Sequence, residues 1–233
     1  MRLEEQLFKQ DPTYLHHFWY SQCLLCTMQI EKLAEEGVDL FQVDALDMLG
    51  RSAEAYDIAH EVVERSSSVV LFRLLNRSGR SNEVVAYIKE HYPNLRLLEA
   101  QKNLYGEYWL VMAEVAFAYH HSNNAERFHE ALQLLEKFLT SLSAQGVDNW
   151  AMNYANAQYL TLAGKNEDAF TQLEIAYERG MMPTPTSKWC PIFTLLGDAE
   201  KLTALDSAVN IKLNAEREKL GLEPIDPSKE FWQ

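Results

Sequence analysis

Four stretches of the chain repeat one pattern: a short apolar segment, a turn, and a second amphipathic segment. The stretches are residues 44–65, 71–93, 113–139 and 157–180. Three of the turns contain a glycine, Gly50, Gly79 or Gly164, whereas the stretch at 113–139 has a looser pattern and a longer turn. Glycine ends a helix at little cost because it readily takes the left-handed backbone conformation. Each stretch therefore predicts two antiparallel helices joined by a turn.

A single helical hairpin cannot bury both of its faces, so the copies are expected to stack on one another. Small residues such as Ala157 and Ala169 would let the two helices of a hairpin approach closely, while larger apolar residues one turn away fill the remaining space. We therefore predict an all-α fold without a sheet, in which Ala157 faces Ala169 across the last clear hairpin.

The pattern resembles the tetratricopeptide repeat (TPR) family. The matching residues are Ala157, Gly164, Ala169, Leu173 and Ala176, with Pro183 beyond the second helix. Gly50 and Gly79 are closer together than the ~34-residue period of the family, and the aromatic residue early in the first helix is shifted to Trp150. The resemblance implies a TPR-like α-solenoid, built from antiparallel helix pairs with degenerate repeats.

The resemblance also implies the extent of the domain. A single TPR-like domain is expected over residues 1–221, with a helical N-terminal part at 11–94 and a C-terminal part at 95–221. Residues 222–233, which contain two prolines, are expected to form a loose tail.

The C-terminal part has a narrower likeness. A proline-containing loop, an F..LLGD turn and a closing helix are similar to the C-terminal ends of bacterial TPR regions, which occur attached to transcriptional regulators and nucleotide cyclases. The residues concerned are Phe193, Leu196, Asp198, Leu205 and 217–222. The turn predicts that Gly197 ends one short helix, that Asp198 caps the next, and that this helix stops at Gly221.

Charge and composition limit the classes of partner and compartment. The formal net charge of −13 argues against nucleic acid, which is bound by a positive surface. No run approaches the ~20 apolar residues that span a membrane, and the first residues lack the apolar core of a secretory signal. The three cysteines cannot all pair with one another. We therefore expect no disulfide framework and a cytoplasmic protein.

No residues form a recognisable catalytic or metal site. Cys23 and Cys26 have the spacing of a metal pair but lack the second pair of ligands that such a site needs. Neither a phosphate-binding glycine loop nor a nucleophile elbow occurs. We expect no enzymatic activity, no cofactor and no metal. The alternative is a helical enzyme whose site uses His120, His121 or Glu126.

Asn149, Asn153 and Asn156 form the best candidate for a binding surface. Their spacing puts them on one face of a helix, and asparagine is a poor helix former. Its amide both donates and accepts, so it can bond the backbone of an extended peptide. Glu107 and Glu114, two turns apart on an earlier helix, are expected to face the same groove. The alternative interpretation is that these amides are ordinary polar groups facing solvent, or that Asn149 is a helix cap.

These features favour a non-catalytic scaffold or ligand-sensing module that binds a protein or peptide on the concave face of the array. The two glutamates would give a preference for a basic partner, because carboxylates attract Lys and Arg. Besides the helical enzyme, a self-associating scaffold stays open. A solenoid end without a polar cap can stack on a copy of itself, which would make a homo-oligomer.

Overall fold

The computed structural model describes residues 24–25, 28–37, 39–63, 68–95, 108–181 and 190–225. Within these ranges the ordered elements are all helical and no residue lies in a β-strand, so the all-α prediction is confirmed. The helices are α1 (Ile30–Glu36), α2 (Asp39–Met48), α3 (Ser52–Val63), α4 (Val69–Arg77), α5 (Ser81–His91), α6 (Tyr108–His121), α7 (Ala125–Ala144), α8 (Trp150–Leu162), α9 (Asn166–Glu178), a 3-10 helix (Pro191–Leu196) and α10 (Ala199–Lys219).

The three predicted glycine turns are present. Gly50, Gly79 and Gly164 each have a φ angle of 73° and each lies in a three-residue connection between consecutive helices. At Gly164 the glycine N–H donates to the Thr161 carbonyl at 3.0 Å, and the Lys165 N–H donates to the Leu160 carbonyl at 2.8 Å. This pair of bonds is the Schellman motif, in which a left-handed residue lets the last helical carbonyls be satisfied.

The turn between α6 and α7 follows the same geometry without a glycine. Asn123 takes the left-handed conformation with a φ angle of 54°, and the Asn124 N–H donates to the Tyr119 carbonyl at 3.0 Å. The connection consists of residues 122–124, as short as the other three. The predicted longer turn at this position is therefore wrong, because asparagine can take the left-handed conformation in place of glycine.

The chain divides into two compact units. The first comprises Met1–Leu71, Pro183–Pro185 and Ala204–Gln233. In it α1 packs on α2, and α2 packs on α3. Its buried apolar residues include Ile30, Leu33, Val43, Leu46, Met48, Ala55 and Ala59.

The second unit comprises Phe72–Met182 and Thr186–Thr203. Here α6 packs on α5 and α7, and α8 packs on α9, α7, α6 and the 3-10 helix. The ring of Phe72 on α4 meets that of Tyr87 on α5, with centroids 5.4 Å apart. Ala157 and Ala169 are both fully buried, on α8 and α9 respectively. The single domain predicted over residues 1–221 stays a prediction.

The C-terminal elements follow the predicted pattern. Gly197 has a φ angle of 71° at the end of the 3-10 helix. The Asp198 Oδ1 accepts the Lys201 N–H at 2.9 Å and so caps α10, and the turn after α10 closes at Gly221 with a φ angle of 69°. Among the described helices none is long and apolar enough to cross a bilayer.

Residues 222–225, the first of the predicted tail, bond back to α10. The Ile225 N–H donates to the Asn214 Oδ1 at 2.7 Å, and the Asn214 Nδ2 donates to the Ile225 carbonyl at 3.2 Å. The Arg217 Nε also donates to the Glu223 carbonyl at 2.7 Å. The rest of the predicted tail, residues 226–233, lies outside the described residues.

Candidate binding cleft

Asn149 is the N-cap of α8. Its Oδ1 accepts the backbone N–H of Met152 at 3.0 Å, which satisfies one of the donors that the first turn of a helix leaves unpaired. This agrees with the alternative interpretation of Asn149 as a cap.

Asn153 lies inside the hairpin of α8 and α9 and is only 9% exposed. Its Nδ2 donates to the Gln172 Oε1 at 2.9 Å, and its Oδ1 accepts from the Arg179 Nη1 at 3.2 Å. Arg179 also pairs with Asp148. Both halves of the Asn153 amide are therefore engaged within the protein.

Asn156 is placed differently. It is partly exposed and lies in a cleft between α7 and α8. Among the described residues none forms a hydrogen bond with its side chain, in contrast to Asn149 and Asn153. The three asparagines therefore do not form one surface. Asn149 caps α8, Asn153 links α8 to α9, and Asn156 faces the cleft.

The structure describes one of the two predicted glutamates. Glu107 lies outside the described residues. Glu114 is 1% exposed, and its Oε2 accepts from the Asn76 Nδ2 at 2.8 Å while its Oε1 lies 3.6 Å from the Arg73 Nε. Burial raises the pKa of Glu114, against the opposing effect of Arg73 and Asn76. The predicted orientation of Glu114 toward a groove is wrong, because its side chain faces α4.

The cleft beside Asn156 has a volume of about 460 Å³. It is lined by Glu136, Leu139, Thr140, Ser143 and Ala144 from α7, and by Met152, Asn156 and Tyr159 from α8. Both sets have helical spacing, so each helix contributes one face. Leu139 and Met152 are buried and form an apolar floor, while Thr140, Ser143 and Ala144 are exposed and small.

Glu136 and Tyr159 meet across the cleft. The Tyr159 hydroxyl donates to the Glu136 Oε1 at 2.7 Å. Desolvation, together with this hydrogen bond to a carboxylate, raises the pKa of Tyr159 to about 12. The phenol therefore stays protonated at neutral pH and holds one carboxylate oxygen, so the other oxygen can accept from a ligand.

The sequence analysis did not predict that Glu136, Tyr159 and Met152 line a cleft. The apolar periodicity of α7 and α8 shows which residues each helix buries, but it does not show that α7 packs beside α8. A signal was present in the small residues Ser143 and Ala144, which leave open space beside a helix that otherwise carries larger side chains.

The histidines of the alternative enzyme site lie in the last turn of α6, and neither lines the cleft between α7 and α8. His120 is exposed and its ring lies 5.4 Å from that of Phe128. The Nδ1 of His121 lies 3.2 Å from the Phe117 carbonyl. No group of three or more metal-ligating side chains occurs in the part of the chain that the structure describes.

Cys190 is buried in the second unit. The Gln158 Nε2 lies 3.1 Å from its sulfur, and burial raises the pKa of the Cys190 thiol to about 11, which makes it a poor nucleophile. Cys23 and Cys26, the pair with metal-like spacing, lie outside the described residues.

Comparison with known proteins gives no relative: no family model, curated protein or solved structure matches the chain.

Proposed function

We propose that this chain is a TPR-like helical repeat protein that acts as a non-catalytic binding module for a protein or peptide, and that the cleft between α7 and α8 is its binding site. The observation that carries the proposal is Asn156. Its amide is partly exposed in an apolar-floored cleft and bonds no other described residue. It can donate to and accept from the backbone of an entering peptide.

Equivalent positions in the four helix–turn–helix segments support the repeat assignment. The residue seven positions before the left-handed turn residue is almost completely buried in each segment: Val43, Phe72, Ala116 and Ala157. One position relative to the turn is thus buried four times, as expected when a helix pair is repeated.

Two turns also share a side-chain pair. The Arg51 Nε and Nη2 donate to the two carboxylate oxygens of Glu54 at 2.8 and 2.6 Å. Arg80 and Glu83 form the same forked pair at 2.6 and 2.7 Å. Exposed pairs of this kind add little stability, but their shared geometry supports a common repeat.

The floor of the cleft supports a peptide ligand. Leu139 and Met152 offer apolar surface, and methionine adapts its shape to different partners because its side chain is unbranched and flexible. Thr140, Ser143 and Ala144 are short, so a backbone could approach α7 closely. Peptide-binding grooves combine an apolar floor and a few polar groups that bond the backbone in this way.

The test compares Asn156→Ala with Asn82→Ala, each assayed by isothermal titration calorimetry against the peptide region of a partner recovered by affinity pull-down. Asn82 is exposed on α5, outside the cleft, and so is a matched control. Asn156→Ala should weaken binding by about 0.5–1.5 kcal/mol for each hydrogen bond lost, while Asn82→Ala binds as the wild type does. Unchanged affinity in Asn156→Ala, with helicity intact by circular dichroism, would place the binding site elsewhere.

A further inference from the structure

We infer that the cleft between α7 and α8 selects peptide segments that carry a Lys or Arg side chain, whose cationic group binds the carboxylate of Glu136. This inference rests on the proposed peptide-binding function of the cleft and names the chemistry of its ligand.

The charge of the cleft points to a cation. Of the eight residues that line it, only Glu136 is charged at neutral pH, because the hydroxyl of Tyr159 stays protonated. Helix α8 contains no Asp, Glu, Lys or Arg at all. On α7 the helical neighbours of Glu136 at three and four residues are all uncharged: Leu132, Gln133, Leu139 and Thr140. The negative charge of Glu136 is therefore not compensated by any of these neighbours.

The carboxylate is also held in place. The Tyr159 hydroxyl bonds its Oε1 at 2.7 Å, which restricts the rotation of the Glu136 side chain before any ligand arrives. An acceptor that is already oriented loses less conformational freedom on binding. The Oε2 is the oxygen that the described hydrogen bonds of Glu136 leave for a cation.

The shape of the cleft fits the rest of a basic side chain. Lys and Arg have apolar stems that bury against hydrocarbon while their charged ends stay near water. Leu139 and Met152 would contact the stem, and Glu136, which is exposed, would meet the charged end. The net charge of −13 adds long-range attraction for a basic segment.

Fluorescein-labelled nonapeptide mixtures test the inference by fluorescence anisotropy. Each mixture has one fixed central residue (Arg, Lys, citrulline, norleucine or Glu) and random residues elsewhere. Citrulline and norleucine keep the length of the basic side chains without the charge. We expect the Arg and Lys mixtures to bind the wild type about 2- to 5-fold more tightly than their neutral counterparts, the range for a solvent-accessible ion pair.

Three variants test whether Glu136 causes the preference for peptides with a basic side chain. Glu136→Gln should abolish it, whereas Glu174→Gln, an exposed glutamate on α9 outside the cleft, should retain it. Tyr159→Phe removes the link between the helices and the fixed orientation of the carboxylate but keeps its charge, so it should reduce the preference without abolishing it. Equal loss in Glu136→Gln and Tyr159→Phe would show that the helix link matters rather than the charge, and would overturn the inference.

The remaining outcomes separate the inference from the proposed function. If all mixtures bind equally and Asn156→Ala weakens each of them, the cleft binds peptides but does not select a basic side chain. If the basic mixtures are preferred and neither Glu136→Gln nor Asn156→Ala has an effect, the binding site is elsewhere. If no mixture binds the folded wild type, both the inference and the proposed function fail.

Discussion

Arg73 on α4 and Glu114 on α6 form an ion pair, 3.6 Å apart between Nε and Oε1, in which both side chains are buried. The Glu114 Oε2 also accepts from Asn76 on α4. An ion pair away from water adds little net stability, since desolvation offsets the attraction, but loss of one partner is costly because the other is left as an isolated charge. The pair therefore constrains how α4 and α6 can pack.

Arg73→Ala should lower the free energy of unfolding by about 3 kcal/mol, because Glu114 would remain buried without its cation. Arg80→Ala is the matched control, since Arg80 pairs with Glu83 at the surface and should cost less than about 1 kcal/mol. Urea unfolding followed by circular dichroism measures both. Equal costs for the two variants would contradict the buried pairing.

Glu114 should make stability depend on pH. Its pKa is raised in the folded state by burial, so the folded protein binds a proton more tightly than the unfolded chain does. Its contribution to stability is then fully present below the ordinary glutamate pKa of about 4.3 and is lost as pH rises through the folded pKa. The unfolding free energy of the wild type relative to Glu114→Gln should therefore fall as pH rises from about 4.3 through the folded pKa, the interval in which the folded protein loses this proton. A relative stability that rises over that interval would show that the Arg73 charge dominates instead.

Ala169→Leu should destabilise the hairpin of α8 and α9 by about 1–3 kcal/mol through overpacking, because Ala169 is completely buried. Ala86→Leu adds the same atoms at an exposed position of α5 and should change the melting temperature little. A melting temperature that Ala169→Leu leaves unchanged would mean that the two helices do not pack through this residue.

Gly164→Ala should cost about 1–2 kcal/mol through the backbone alone. A Cβ atom at Gly164 would meet no atom within 4 Å, so the cost arises from the left-handed conformation at a φ angle of 73°. Gly164→Asn should cost less, since Asn123 already adopts this conformation in the chain. Thermal unfolding compares the two variants, and a larger loss for asparagine than for alanine would refute this explanation.

The helical fold could be predicted from the sequence because its signals are local. A glycine after an apolar segment is sufficient to predict a helix end, and Gly50, Gly79 and Gly164 all behave as predicted. Asn123 was missed as a turn residue because asparagine serves this role less often than glycine. Such errors change the length of a turn but not the fold class.

The candidate binding residues were harder to predict because they depend on contacts between helices. Residues spaced by three and four share a face of a helix, but that face can border two different neighbours. Asn153 meets α9 and Asn156 meets the cleft beside α7. The burial of Glu114 likewise follows from Arg73 and Asn76, which lie 41 and 38 positions earlier in the chain. Periodicity within one helix contains no information about such partners.

The contact between Asn214 and Ile225 has a consequence for the peptide recognition proposed for the cleft between α7 and α8. One asparagine amide holds the N–H and the carbonyl of a single residue, at 2.7 and 3.2 Å. The protein thus contains, within its own chain, the same pair of hydrogen bonds that we propose between Asn156 and the backbone of a bound peptide. Asn214→Ala therefore measures the strength of this pair of hydrogen bonds in the protein without any ligand. Amide hydrogen exchange at Ile225, compared between the variant and the wild type, shows how far the two bonds protect its N–H group.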